Sequence, residues 1–396
     1  MARICMVLRG DIRYDGRVRK EIATLHRYGH AIELIVSDFT GMRLGGDDLG
    51  VPVHYLHCRI SQNPAANFAD QILFSYKAAR IARRLRPTHI HCHNLQGLLA
   101  GVWAKRTTNA KIVFDAHELM PESLDGARRK VWDLIERRSI FYSDHILMPE
   151  SNRIAYFENK YVGIPKPVLL QNLPRRDDIP QGTFDVFRET YPITREQTIV
   201  LYTGLIAPGR CVDELIEALM MCDPRFVLVV LGFAYKNYAE TLKQRIKELD
   251  LSNRVFLHDP VPNTEIIKYM ASCDIGVALY RNTDINNYFC APNKVYEYIA
   301  LGKPIITNDY PGLVEAVKKH GQGICTGSLS PTVLAESCER AADRSVVKGG
   351  RRKCFWEEQE GILLKIYGGS VDQSRVEARQ WWMNIEKPEA SRKIGA

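Results

Sequence analysis

Residues 198–232 read TIVLYTGLIAPGRCVDELIEALMMCDPRFVLVVLG. The run 198–204 is apolar at most positions and stops at Gly204. The run 226–232 does the same and stops at Gly232. Apolar runs of this length, rich in Val, Ile and Leu, fit strands buried on both faces of a parallel sheet. Between them, residues 212–222 carry apolar side chains at helical spacing. A strand, a crossover helix and a second strand in the same sheet make the βαβ unit of an open α/β fold.

The pattern repeats in both directions. Upstream, strands are predicted at 2–8, 31–37, 51–56, 89–93, 111–116 and 144–149, with helices at 17–28, 68–86, 95–106 and 127–142. Downstream, strands are predicted at 254–259, 274–280, 303–308 and 323–327, with helices at 236–249, 263–272, 293–301, 312–319 and 331–343. The chain has 396 residues, 45% hydrophobic and 25% charged, which suits two to three globular domains and excludes long disorder or a coiled-coil rod. The expected architecture is two doubly wound, Rossmann-like α/β domains facing a central cleft. Residues 1–171 form the first domain, 172–197 a polar linker and 198–370 the second domain. Residues 371–396 form a C-terminal helix and tail that packs back on the first domain. The chain reads helical from about 355 to 366 and again from 371 to 385, and Trp356, Trp381 and Trp382 are read as groups that pack a terminal helix onto a domain.

Ten cysteines are scattered without a CxxC pair, so neither a disulfide framework nor a zinc site is expected. In the triplet His91-Cys92-His93, strand alternation puts Cys92 opposite the histidines, and no metal is assigned there. No apolar run reaches the ~20 residues that cross a bilayer. Residues 2–8 read as a strand rather than a signal peptide. The expected location is the cytoplasm. The excess of 8 positive charges lies wholly in residues 1–170. A basic face there, drawing on helices 68–86 and 127–142, suits either a solvated surface or peripheral attachment to the anionic inner face of a membrane. Nucleic acid is not expected as a partner.

Ligands of open α/β sheets sit beyond the carboxyl ends of the strands. Five places qualify. In the turn after the first strand, Gly10 and Gly16 allow close backbone approach, Arg17 adds charge, and Asp15 is a helix cap. The sequence lacks Gly-x-Gly-x-x-Gly, which disfavours a dinucleotide cofactor. His117 follows the strand 111–116, where Glu118 or Glu122 could orient it. Gly204 ends a strand, and a Pro-Gly turn sets Arg210 near a helix N-terminus as a diphosphate clamp. After the next strand, Gly232 allows a ligand close to the backbone, and Lys236 could reach a phosphate or simply be an exposed lysine. Asn293, Lys294 and Glu297 begin a helix on which Asn293 and Glu297 share one face, suiting a ribose diol, with Lys294 toward phosphate.

Together these segments resemble glycosyltransferase family 4, of GT-B fold. D-G-R-V-R-K-E at 15–21 followed by Gly29-His30 is similar to its opening helix. D-A-H-E-L at 115–119 resembles its acceptor-side loop. Y-T-G at 202–204 with Arg210 is similar to the start of its second domain, and P-N-K-V-Y-E-Y-I-A-L-G-K-P at 292–304 to its donor helix. The resemblance implies a retaining, metal-independent transfer of a sugar from a nucleotide-sugar co-substrate to a hydroxyl acceptor, lipid-linked or soluble, in glycan, glycolipid or glycosylated-metabolite synthesis. It puts a UDP-sugar ahead of a GDP-sugar and implies no other cofactor. Glu297 would hold the ribose, Arg210 and Lys294 the diphosphate, His117 would face the sugar or acceptor, and the Gly10–Arg17 turn would approach the donor phosphates. Three departures stand out. Phe289 replaces the first of two glutamates, Leu205 an arginine, and Cys211 a common glycine. A nucleotide-sugar epimerase and a non-catalytic nucleotide-sugar-binding subunit are the competing readings.

Overall fold

The computed structural model describes residues 1–61, 63–235, 237–343, 345 and 355–368. Among these residues, thirteen strands form two all-parallel sheets. The first contains β1 (Arg3–Leu8), β2 (Ala31–Asp38), β3 (Val53–His57), β4 (His89–His93), β5 (Lys111–Asp115), β6 (His145–Met148) and β7 (Val168–Leu169), in the order β3-β2-β1-β4-β5-β6-β7. The second contains β8 (Thr198–Thr203), β9 (Phe226–Leu231), β10 (Val255–His258), β11 (Ile275–Ala278), β12 (Ile305–Asn308) and β13 (Gly323–Thr326), in the order β10-β9-β8-β11-β12-β13. Each order reverses direction once, between β1 and β4 and between β8 and β11. Those reversals open the crevices where such sheets bind ligands.

Burial explains the strands. All six residues of β9 and five of six in β1 are buried, because helices cover both faces of each sheet. On one face of the first sheet lie α2 (Pro64–Leu85), α3 (Asn94–Lys105) and α4 (Gly126–Ser139). On the other lies α1 (Gly16–Arg27). Asp15 caps α1 by accepting from Val18 N at 3.1 Å, and Asn63 caps α2 ahead of Pro64. Cys92 points away from His91 and His93, toward Gly101, where a Cβ would overlap its sulfur. All nine described cysteines are free thiols.

Three expectations change. Residues 172–197 are not a bare linker: Phe187, in the short helix Val186–Thr190, is fully buried with Ile193 in the second domain's core. A further helix, α5 (Ser151–Lys160), begins where Glu150 accepts from Asn152 N and Arg153 N. The second domain also ends before residue 370. The segment from Trp356 to Tyr367 crosses back to the first domain, burying Trp356, Leu363, Leu364 and Tyr367 against β1, β2 and α1. Trp356 Nε1 donates to Thr24 Oγ1 at 2.8 Å, and Thr24 donates to Glu360 at 2.8 Å. The expected packing of a C-terminal helix on the first domain is found here, in Glu360–Ile366. The expected helix at 371–385, Trp381, Trp382 and Lys236 lie outside the described residues. Among the described residues, no helix is long and apolar enough to cross a membrane.

Trp356→Ala should therefore weaken the first domain, not the second. Deleting a fully buried indole costs about 3–5 kcal/mol. Urea unfolding followed by proteolysis of each domain should show the early loss in residues 1–171.

Candidate active site

The first wall of the cleft grows from the turn after β1. Asp11 fixes the turn by accepting from Arg13 N and Nε, both at 3.0 Å. Gly10 has room for little more than its own backbone: a Cβ would press Leu8 at 3.2 Å. Gly16 opens α1, and a Cβ there would meet nothing within 4 Å. Its Cα borders open cleft.

Arg17 is placed differently from the sequence expectation of an arginine approaching donor phosphates. It is buried, with Nε and Nη2 on the two oxygens of Asp115 at 2.8 and 2.7 Å. Its Nη1 donates to Leu170 O at 2.6 Å and Asn172 Oδ1 at 2.9 Å. Four donor contacts to protein leave it chiefly a bolt between α1, β5 and the domain junction.

Asp115 also meets His117 Nε2 at 2.9 Å. His93 Nδ1 lies 3.3 Å from Asp115 and 3.2 Å from His117 Nε2. Burial alone would lower the His117 pKa, but the charge and hydrogen bond of Asp115 outweigh it and hold His117 above the ordinary range. Glu118 is exposed, and Glu122 is taken by Tyr156 (2.6 Å), Lys160 (2.8 Å) and Arg129, so neither orients His117. The orienting carboxylate is Asp115, two residues before the histidine and on the buried face of the strand end.

The second wall begins where β8 ends. Gly204 (φ +128°) and Gly232 (φ +153°) adopt backbone that favours glycine, and a Cβ at Gly232 would overlap the Gly204 carbonyl. Gly232 thus serves the approach of two strand ends. Lys294 Nζ donates to Thr203 O at 2.8 Å and sits over the rings of Tyr202 and Tyr280, 5.0 and 5.4 Å from their centroids. Burial, and then the charge of Arg210, lowers Lys294 to about 8. Arg210 is half-buried in the turn before the helix Val212–Leu219. Cys211 takes the left-handed conformation (φ +61°), which accounts for a glycine preference at that position. Glu297 is raised to about 7 by burial, although Lys20 and Lys294 pull the other way.

Between the walls lies a cavity of about 340 Å³, lined by Asp11, Tyr14, Asp15, Gly16, Arg17, His117, Asn172 and Asn293. Asn293 comes from the second domain and most of the rest from the first. The sequence reading missed Asp115, Asn172 and a latch beside the cavity. Arg153 of α5 donates through Nε to Phe289 O (2.6 Å) and through Nη2 to Asn286 O and Oδ1 (3.1 and 3.0 Å), while Asn286 Oδ1 accepts from Leu119 N (2.9 Å). Phe289 packs on the first domain's core. Nothing in the local pattern around Arg153 marks it as a bridge.

Behind His117, donor atoms of Glu21, His91, His93 and Asp115 lie within 4.8 Å of one another, all buried, in an arrangement that could hold an ion. Arg17, bidentate on Asp115 and 3.3 Å from Glu21, already places a cation there.

Three outcomes follow for ligand binding. Gly16→Ala should fold normally yet weaken any ligand lying against the start of α1, as read by calorimetry beside an unchanged melting temperature. Arg210→Ala should raise the barrier for a diphosphate leaving group by about 2.7–4 kcal/mol, since Leu205 offers no replacement charge. Lys294 is charged below about pH 8 and neutral above it, so diphosphate affinity should fall as pH rises through that value. Lys294→Arg should move the fall upward, because an arginine stays charged.

Two family models match the sequence in succession: the glycosyl transferase 4-like domain over residues 16–172 and glycosyl transferases group 1 over residues 183–349. No curated protein matches the chain in sequence. Among solved structures, Anabaena HepE in complex with UDP-glucose superposes with a TM-score of 0.74 at 16% identity, covering 93% of this chain and 100% of that one. Sucrose-phosphate synthase from Thermosynechococcus elongatus gives a TM-score of 0.71 at 14% identity, covering 97% and 99%. WaaG, a glycosyltransferase of lipopolysaccharide biosynthesis, gives 0.65 at 15% identity, covering 91% and 99%. With both halves of the chain matched in order and two facing parallel-sheet domains, the chain belongs to the GT4-like glycosyltransferases of GT-B fold.

Proposed function

We propose that the cleft transfers a sugar, with retention of configuration and without a divalent metal, from a UDP-sugar to a hydroxyl acceptor in glycan or glycolipid assembly. The observation that carries this reading is one cavity lined by His117 from the first domain and Asn293 from the second, with Lys294, next to Asn293, close enough to Arg210 for that charge to lower its pKa. A departing nucleoside diphosphate develops negative charge, and fixed cations in a water-poor cleft stabilise it without rearranging. Lys294 is already positioned by Thr203 O. Glu297, half-buried on the same helix, is the group for the ribose hydroxyls. The two carboxylates lining the cavity are engaged, Asp11 with Arg13 and Asp15 with Val18 N. The acceptor proton would then pass to the leaving phosphate on the same face of the sugar. The UDP assignment is supported by HepE, whose structures hold UDP-glucose, and UDP with glucose.

Phe289 and Leu205, apolar where polar groups are common in such enzymes, favour a second reading, a subunit that binds nucleotide sugar without turning it over. One assay separates the readings. Donor consumption that depends on an added acceptor supports transfer. Binding without turnover supports the subunit, and acceptor-free conversion of the donor supports an epimerase.

The acceptor is proposed to be membrane-borne. α2 carries four cations and one carboxylate, and α4 carries five and two. The helices meet over α3, where Phe68 and Trp132 touch edge to face at 5.5 Å. Their outer surface exposes Leu73, Tyr76, Val131 and Leu134, with Phe141 and Tyr142 just beyond α4. Arg83 and Arg129 do not belong to the open set, being bonded to Trp103 O and Glu122. Arg80, Arg84, Arg128 and Lys130 remain exposed. Apolar side chains among cations suit an anionic bilayer surface, each cation contributing about 1 kcal/mol at low salt. The chain should pellet with anionic vesicles and not neutral ones, and Leu134→Glu should reduce pelleting without changing donor binding. Equal, negligible pelleting with both lipids would point to a soluble acceptor.

A further inference from the structure

A buried chain of polar groups runs from the C-terminal segment to the cleft. Tyr367 OH lies 2.8 Å from His91 Nδ1. His91 Nε2 lies 3.4 Å from Glu21 Oε2, and Glu21 Oε1 lies 3.3 Å from Arg17 Nε. Arg17 holds Asp115, and Asp115 holds His117. Every member is buried except His117, whose side chain is 15% exposed at the cavity.

Counting hydrogens identifies the weak point. The Nε–H of Arg17 is directed at Asp115, so it does not satisfy Glu21. Both oxygens of Glu21 and Nε2 of His91 lack a hydrogen-bond partner, and the Glu21 side chain is fully buried. An ionised Glu21 would face Asp115 and Asp15, with the Arg17 charge opposing them but no hydrogen donor aimed at its oxygens. His91 and His93 stack with centroids 4.4 Å apart, an arrangement in which two imidazolium rings would repel. One hydrogen between Glu21 Oε2 and His91 Nε2, which lie 3.4 Å apart, would serve these two atoms, leaving Glu21 Oε1 beside Arg17 and His91 Nδ1–H to donate to Tyr367.

We infer that Glu21 is a neutral, protonated acid sharing its hydrogen with His91, and that this pair, fixed by Tyr367, is a positioning unit behind Asp115 and His117. Burial, acting with the neighbouring Asp115, holds Glu21 well above the carboxylate range, and burial with His93 holds His91 below the imidazole range, in agreement with the geometry. The consequence is a single anion in the cluster, Asp115, whose charge is met by Arg17 and His117. The positioning role rests on the cleft being the transfer site; the protonation state does not.

The infrared spectrum of the full chain tests the state directly. At neutral pH a protonated-carboxyl stretch should be present and should vanish in Glu21→Gln. That variant keeps a neutral donor toward His91, so it should fold and keep kcat within about twofold, whereas Glu21→Ala should lose at least about tenfold. A raised carboxyl pKa gives stability that is full below the unfolded value and is lost as pH rises toward the folded one. The melting temperature of Glu21→Gln should therefore gain on the native protein as pH increases from about 5. Tyr367→Phe should lower kcat with KM unchanged. Absence of the carboxyl band, a Glu21→Gln variant that loses stability equally at all pH values, or stoichiometric zinc that disappears in Glu21→Gln would each overturn the inference, the last in favour of a metal held by the same four side chains.

Discussion

The ion pair between Arg17 and Asp115 is the constraint on which the first wall of the cleft depends. Burying two charges costs several kcal/mol each, and the attraction between them offsets that cost only with near-ideal geometry and satisfied neighbours. Here the pair is bidentate, and the remaining Arg17 contacts reach Leu170 O and Asn172. One side chain thus joins the helix after β1, the end of β5 and the junction with the second domain. Asp115 in turn sets the ring of His117. An apolar pair of similar volume could support the fold equally well, which suggests that the charges are kept for the site they organise.

The second wall is built on different physics. Its cations are held by backbone and aromatic faces: Lys294 by Thr203 O, Tyr202 and Tyr280, with Arg210 close enough to depress its pKa. Among the described residues neither cation forms a salt bridge to a carboxylate, so the two repel one another, and an anionic ligand relieves that repulsion. The first wall is internally neutralised and rigid, and the second is primed for an anion. Arg153 and Asn286 tie the walls together beside the cavity. Phe289 lies on that tie, packed toward the first domain, so the residue at the missing glutamate's position contributes to domain contact.

Most of the architecture was legible in the sequence because strands buried on both faces announce themselves as apolar runs, and β9 and β1 did so clearly. The turns after β1, β5 and β8 were legible because glycine, histidine and arginine stood at strand ends. Partnerships over long separations were not. Arg17 read as a phosphate ligand because its pairing with a carboxylate 98 residues away leaves no local trace. Arg153 and Asn286 are ordinary surface types until the domains meet. The return of a C-terminal helix to the first domain was expected, but which face of the first sheet Trp356 and Tyr367 would cover leaves no trace in the periodicity. Gly232 was read as a ligand-facing glycine, while its missing side chain makes room for Gly204.

The buried pair serves the cleft more than the fold. Replacing it by Arg17→Met, by Asp115→Leu and by both together tests this most directly, with unfolding free energy and donor turnover measured on each. Each single change should cost about 3–5 kcal/mol of stability by stranding a buried charge. The double variant should recover most of that stability, yet turnover should remain down by about a hundredfold, because a small displacement of His117 is enough to misalign the site. A double variant that is stable and turns over at nearly the native rate would contradict the account.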